Sequence, residues 1–482
     1  MNLAMPWAST QDRAYSSPTS LLVKMRLGEA PDHVPAMQDV RECCHDPAHS
    51  IDGGPIDRVL SVHAGSVRVA KLHCAAANQH RRRCRHIGYD DIEHLTGIAR
   101  TFFLKVPVGA PIARICDILR QTSTVEHATP NYIATLPMDI EQPLARDRDT
   151  NDAQAWKSRN LVALREALAH EPGDPDTLIG LIDSGISLGH PELEERFSEG
   201  GYDTVKLHER DVAAGVRLLG DYDENDPHPV DDFVGHGMGC AGIMVGNGRN
   251  MPPGLGGACR VVPMRALGAA KVPHKVPPVG LGALSDLDLA MSMAVNTGAK
   301  VLNLSFGTSE DALAPESPRP HADTVQYAIE RGCILVAASG NSGEEERFWP
   351  SANPDVIAVG AVNDEGAPAA FSTRGDHVAL SAPGASVLTT SLGSYQNATG
   401  TSFAAPFVAA TAALMATRAA RLGVQLSCAD AHAILTHSTR PFANGAQPRG
   451  YGSGILDAAS ALTSLDEMIV QSTGPTGGQY VH

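Results

Sequence analysis

The sequence predicts an α/β protein: a doubly wound, mostly parallel sheet with helices on both faces, preceded by a small α+β domain. Three observations carry that prediction. From about residue 156 to 462, short apolar runs rich in β-branched residues alternate with stretches of helical spacing, the pattern of strands buried on both faces of a parallel sheet. Residues 58–134 instead read as strands split by a helix, a pattern of split βαβ type. A polar segment at 138–152, carrying four Asp and one Glu, separates the two.

Taken in order, residues 1–50 form a poorly patterned extension with one candidate first strand at 21–26. Residues 51–137 make the α+β domain. Its strands are expected at 67–72, 100–106 (RTFFLKV) and 125–133, with a helix at 112–119. Residues 138–155 read as an acidic linker. The main body, 156–462, has expected strands at 178–182, 260–266, 300–304, 333–338 and 356–362. Its helices are expected at 240–245, 287–297, 324–331 and 403–421. Residues 463–482, bearing Gly, Thr and Ser, read as a flexible tail.

Composition excludes several functions for the 482 residues. Hydrophobic residues are 43% and charged residues 19%, with 46 Gly and 33 Pro for tight turns, as in a globular protein. No run approaches the roughly 18 uninterrupted apolar residues of a membrane helix. A formal charge of −16 argues against nucleic-acid binding, which needs a basic face. The charge is uneven: +2 over residues 1–134 and −18 over the rest, so the two parts are expected to attract. Residues 1–30 lack a basic start followed by an apolar run, which predicts a cytoplasmic protein on this sequence, or a secreted one if the true start lies upstream. The nine cysteines (43, 44, 74, 84, 116, 240, 259, 333, 428) are scattered and odd in number, and read as reduced thiols. The group Cys43, Cys44, His45, Cys74 and Cys84 lacks the ligand spacing of a structural zinc site.

In a doubly wound sheet, chemistry gathers at strand carboxyl ends and the adjoining helix starts. Four such positions stand out. Asp183-Ser184-Gly185 ends one buried strand, and Gly235-His236-Gly237 opens a Gly/Ala-rich helix. Ser339-Gly340-Asn341 ends another strand, and Gly400-Thr401-Ser402-Phe403-Ala404-Ala405-Pro406 opens a long apolar helix. Each alone has a bland reading. Asp183 and Asn341 suit turns, His236 suits a helix start, and Ser402 is a good N-cap with Pro406 tolerated in the first turn. Their joint order is what carries weight.

That order resembles the subtilisin-like serine peptidases, the subtilases. The family patterns D-[ST]-G-I, G-H-G-T-x-x-A-G, A-x-G-N and G-T-S-x-A-x-P have counterparts at 183–186, 235–242, 338–341 and 400–406. Further likeness lies in 301–307, 350–361 and 451–458, so the resemblance spans roughly residues 150–462. It implies a serine endopeptidase made as a self-processed precursor. Asp183, His236 and Ser402 would be the triad, and Asn341 would aim its amide at the oxyanion. Leu304, Ser305, Phe306 and Gly307 would pair with an extended peptide, while Gly307 and Gly340 would leave room for an apolar side chain before the cleaved bond. The partners implied are a peptide or protein substrate and the chain's own N-terminal domain, acting as folding aid and inhibitor. The cut is expected between residues 134 and 156.

No cofactor is required for such chemistry. Structural calcium lacks a clear loop, since residues 246–255 hold no carboxylate. An acidic insert, 221–226 with Asp231 and Asp232, offers hard-ion ligands or simply a solvated loop. Met238 and Gly239 depart from the family's usual residues. Two rivals fail on context. The Gly237–Gly242 match to G-x-G-x-x-G follows a polar stretch instead of a strand, and an α/β-hydrolase needs its acid and His after the Ser. The remaining alternative is a catalytically silent protein of the same fold that binds peptides.

Overall fold

The computed structural model describes residues 16–473 except 80–87, 137–138, 145–152, 213–214, 223–225, 274–276, 314–316 and 446–447. The main body is built on a parallel sheet of seven strands. Their order across the sheet is Val378–Pro383, Ile357–Val362, Ile334–Ala338, Val301–Leu304, Leu178–Asp183, Arg260–Arg265 and Tyr202–Asp203. Side chains alternate between faces. Ile179, Leu181, Val301 and Val336 pack with helices His236–Val245 and Thr401–Arg421, whereas Ile182, Leu302, Leu335 and Ala337 pack with Leu284–Asn296 and Ala322–Glu330. Both layers are buried, which is why these strands read as unbroken apolar runs and why the α/β prediction holds.

Thr401–Arg421 is by length and composition apolar enough to cross a membrane, but 83% of its apolar window is buried inside this domain. It is the central helix of the body's larger hydrophobic cluster.

A second sheet joins the front of the chain to the body. Its order is Arg68–Lys71, Thr101–Lys105, Ser16–Met25, Val125–Thr135, Val279–Ala283, Gly268–Lys271 and Arg217–Leu219, the last three contributed by the body. Helices Pro55–His63 and Ile112–Arg120 cover the front strands. Here the first expected boundary needs correction. Ser16–Met25 lies inside the sheet, paired on both sides through Leu22↔Phe103 and Leu22↔Thr129. Leu21, Val23 and Met25 are core residues there, so the front domain starts well before residue 51.

Two further expectations change. Within the acidic segment 138–155, Asp139–Leu144 forms a strand on Ser394–Thr399 and the helix Ala153–Leu161 has already begun. The tail is helical through Thr473 in Ala458–Thr473, because Leu462, Leu465 and Ile469 recur at helical spacing and are buried in the body's core.

Unlike charges meet where the front domain sits on the body. Lys24 Nζ lies 2.8 Å from Asp323, Lys105 Nζ 3.1 Å from Asp211, and Arg41 3.3 Å from the buried Asp286. Beside them His73 is buried, its Nδ1 2.8 Å from Ser292 Oγ on the body. Burial lowers its pKa from 6.5 to about 4, against an opposing pull from Asp288. The folded state thus favours neutral His73. Its contribution to stability is complete above pH 6.5 and is lost as pH falls toward 4, by up to about 3 kcal/mol. His73→Asn is expected to flatten that part of the melting-temperature profile; an unchanged slope between pH 6.5 and 4 would contradict it.

Candidate active site

Asp183 closes the strand Leu178–Asp183, and His236 is the first residue of its helix, with Gly235 before it at φ +75°. The two meet because Gly237 has no side chain: a Cβ there would sit 2.2 Å from Gly185 O and 3.3 Å from Asp183 Cβ. His236 Nδ1 lies 2.7 Å from Asp183 Oδ1, with both side chains completely buried. Asp183 Oδ1 also accepts from its neighbour's N–H, Ser184 N, at 2.7 Å. A carboxylate so placed accepts from Nδ1–H and leaves Nε2 as the acceptor nitrogen. Among the described residues Nε2 has no hydrogen-bond partner and is buried.

The loop before His236 is fixed by Asp231. Its two oxygens accept from Phe233 N, Val234 N and Gly235 N at 2.7–2.9 Å and from Ser184 Oγ at 2.7 Å. Ser184 Oγ in turn accepts from Gly237 N at 3.1 Å. This part of the acidic insert is therefore internal scaffolding, linking the Asp183 strand to the His236 helix. Sequence reading missed it, although a carboxylate four residues before a helix-opening Gly-His was its signal.

Met238 points into the core, where its Sδ accepts from Ser187 N at 3.1 Å. Gly239 makes room for Phe403, whose ring lies 5.0 Å from the His236 imidazole. The two departures from the family pattern thus leave the His236–Asp183 pair undisturbed.

Ser402 occupies the second position of its helix. Gly400, not Ser402, is the cap residue, so the N-cap reading is replaced by one in which the hydroxyl stays available. Ser402 Oγ donates to Ser305 O at 3.2 Å. Pro406 is inside the helix, not in its first turn. Lacking an N–H, it releases the Ser402 carbonyl from the helical ladder. That carbonyl accepts instead from Ser305 Oγ at 2.8 Å, while Asn303 Nδ2 donates to Ser305 Oγ at 2.9 Å.

Cys240 packs between these groups, its Sγ 3.9 Å from His236 Nδ1 and 3.4 Å from Ser402 O. Burial and nearby Asp183 push its thiol pKa upward, so it stays neutral. Among the described residues, Asp183, His236 and Cys240 are the group that brings potential metal-ligand atoms within 4.8 Å of one another. Cys84 lies outside the described residues, and Cys43 and Cys44 are exposed.

Asn341 is brought to the same place. Its Oδ1 accepts from Thr401 N at 2.9 Å and Thr401 Oγ1 at 2.8 Å. Its Nδ2 then lies beside Gly400, 3.1 Å from where a Cβ would be. The backbone N–H of Ser402, one of the first four in its helix, has no acceptor within the helix. Asn341 and the Ser402 N–H thus both lie at the start of the Thr401–Arg421 helix.

The chain itself runs along both sides of this cleft. On one side Thr135 bridges Gly307, Leu136 N donates to Gly280 O at 3.1 Å, and residues 133–135 pair antiparallel with 281–283. On the other, Asp139–Leu144 pairs with Ser394–Thr399, just before Ser402. The intervening residues 137–138, within the stretch expected to be cut, lie outside the described residues.

The profile of the Subtilase family matches residues 174–454. The chain is 30% identical over 315 residues to a thermophilic serine proteinase of Bacillus sp. (strain AK1), covering 64% of this chain and 67% of that one. It is 33% identical over 241 residues to subtilisin BL of Lederbergia lenta, covering 49% and 75%. A solved protease structure from Pseudoalteromonas arctica superposes with a TM-score of 0.55 at 22% identity, covering 67% of this chain and all of that one, a likeness of fold. The chain spans 58% of the length of the halolysin-like serine protease Nep of Natrialba magadii, to which it is 31% identical over 67% of its own length. The chain belongs to the subtilase family, whose curated members named here are serine proteases.

Proposed function

We propose that the protein is a serine endopeptidase produced as a precursor that cuts itself. The observation that carries this is the buried His236–Asp183 pair at 2.7 Å, joined through Cys240 to Ser402, with the chain's own Thr135 bridged to Gly307 alongside. Ser402 Oγ attacks the scissile carbonyl and His236 Nε2 takes its proton, later giving it to the leaving amine. Asp183 keeps the imidazole in the required tautomer and stabilises the imidazolium. Asn341 Nδ2 and the Ser402 N–H stabilise the negative oxygen of the tetrahedral intermediate. Substrate is added as a strand between 279–283 and 304–307. Rotation of Ser402 Oγ from Ser305 O toward His236 Nε2 accompanies substrate binding, since apo hydrogen bonds of catalytic groups are often displaced.

The front domain acts as the inhibitor and first substrate. A peptide strand in the antiparallel register of Thr135↔Gly307 brings the second residue after the one at Gly307 opposite Ser305, the residue whose carbonyl Ser402 Oγ touches. The cut therefore falls between Pro137 and Met138. Intact-mass and N-terminal measurement of the purified chain is expected to find a fragment beginning at Met138. An uncleaved chain, or a start elsewhere, contradicts this. A silent peptide-binding protein is the second reading, favoured by the Ser402 hydroxyl resting on Ser305 O instead of His236; absence of any cleaved product supports it.

A further inference from the structure

The subtilase resemblance implies that the side chain preceding the cut (P1) faces the wall made by Gly307 and Gly340. The sequence suggested open room there. The structure fills it. A Cβ on Gly307 would fall 2.5 Å from Phe348 Cε1 and 2.8 Å from Phe348 Cδ1, and one on Gly340 would fall 3.2 Å from Phe348 Cγ. The benzyl ring therefore stands in the space between the two glycines.

The ring is held there by its surroundings. Phe348 pairs with Ser309, and Trp349 with Thr308, in a short antiparallel ladder directly after Gly307. Phe348 O accepts from Ala352 N at 2.8 Å and from Ser351 Oγ at 2.5 Å. The neighbouring Trp349 is buried, with the Arg319 guanidinium 5.0 Å from its ring centroid. Phe348 itself is only 9% exposed. Moving the ring aside means breaking that ladder or exposing the ring to water.

We infer that Phe348 is a specificity-determining residue: it plugs the P1 pocket and restricts the peptidase to substrates with a small P1 side chain, alanine, glycine or proline. This rests on the peptidase reading above and names its substrate class. The preceding substrate position has the opposite character. Leu136 is buried, and a Cβ on Gly280 would meet its Cδ1 at 2.6 Å, so an apolar side chain is accommodated there. The chain's own sequence fits both demands, with Leu136 followed by Pro137 and then Met138. Of the side chains in that stretch, proline's three carbons are the ones a plugged pocket can tolerate at P1.

The full-length chain supplies its own test, followed by the rate at which the Met138 fragment appears in mass spectra. Pro137→Ala is expected to be cut at least as fast as wild type, because alanine restores an N–H that can donate to Ser305 O. Pro137→Phe is expected to slow the cut by at least about tenfold, and adding Phe348→Gly to restore it to within about threefold of wild type. In parallel, peptide anilides ending Ala-Leu-Ala and Ala-Leu-Phe read the same preference without any core substitution. Wild type favours the alanine peptide at least about tenfold in kcat/KM. Pro137→Phe cut at the wild-type rate, or phenylalanine and alanine peptides turned over equally, overturns the plug and leaves the peptidase reading standing. Wild type and Pro137→Ala both uncut and inactive on the alanine peptide overturn the two together.

Discussion

Ser402→Ala is expected to remain a single 50.7 kDa chain under conditions in which the wild type has cut itself completely. On the proposed mechanism the substitution removes the hydroxyl that attacks the carbonyl, with the Ser402 N–H and Asn341 Nδ2 as the proposed oxyanion donors. Loss of a triad nucleophile costs on the order of 10⁶ in kcat, leaving the oxyanion donors and substrate binding to supply a small residual rate. Folding should be little changed, because Oγ makes one weak bond, to Ser305 O at 3.2 Å, and caps nothing. A Ser402→Ala chain that is processed at the wild-type rate during single-molecule-dilute incubation places the nucleophile elsewhere.

Asp183→Asn is the second large effect, a fall of about 10⁴ in kcat. Asp183 Oδ1 serves two donors at once, His236 Nδ1 and Ser184 N. An asparagine that turns its amide nitrogen toward His236 accepts the other tautomer, with the proton on Nε2, and His236 can then no longer take the proton of Ser402. One that keeps its oxygen there retains the tautomer but loses the charge that stabilises the imidazolium. Measured kcat for the alanine peptide, alongside an unchanged melting temperature, separates this positioning and electrostatic effect from simple unfolding. Activity within tenfold of wild type contradicts the role given to Asp183.

Much of this was legible from the residues alone. Asp183, His236, Asn341 and Ser402 stand at strand ends and helix starts, where short apolar runs and Gly-rich turns mark the carboxyl edge of a parallel sheet. The five strands of the main body read clearly because each is buried on both faces. The edge strand Val378–Pro383 and the two-residue Tyr202–Asp203 did not, since one ends in proline and the other is too short for any pattern.

What escaped was set by tertiary contact. Asp231 looked like part of a solvated acidic loop, yet it is committed to three backbone N–H groups and Ser184. Asp139–Leu144 contains a proline and two acids, and takes strand form against Ser394–Thr399. Phe348 sits more than forty residues from Gly307 in sequence, so no local pattern ties its ring to that glycine. The terminal helix was hidden by the polar residues that end it, although Leu462, Leu465 and Ile469 mark its buried face.

The most direct measurement is the site of covalent labelling by a serine-directed fluorophosphonate after the chain has processed itself, mapped by peptide mass spectrometry. A single adduct on Ser402, abolished in His236→Ala, is the predicted result, because only a hydroxyl activated by a neighbouring base reacts at neutral pH. No adduct, or an adduct on any other serine, contradicts the account.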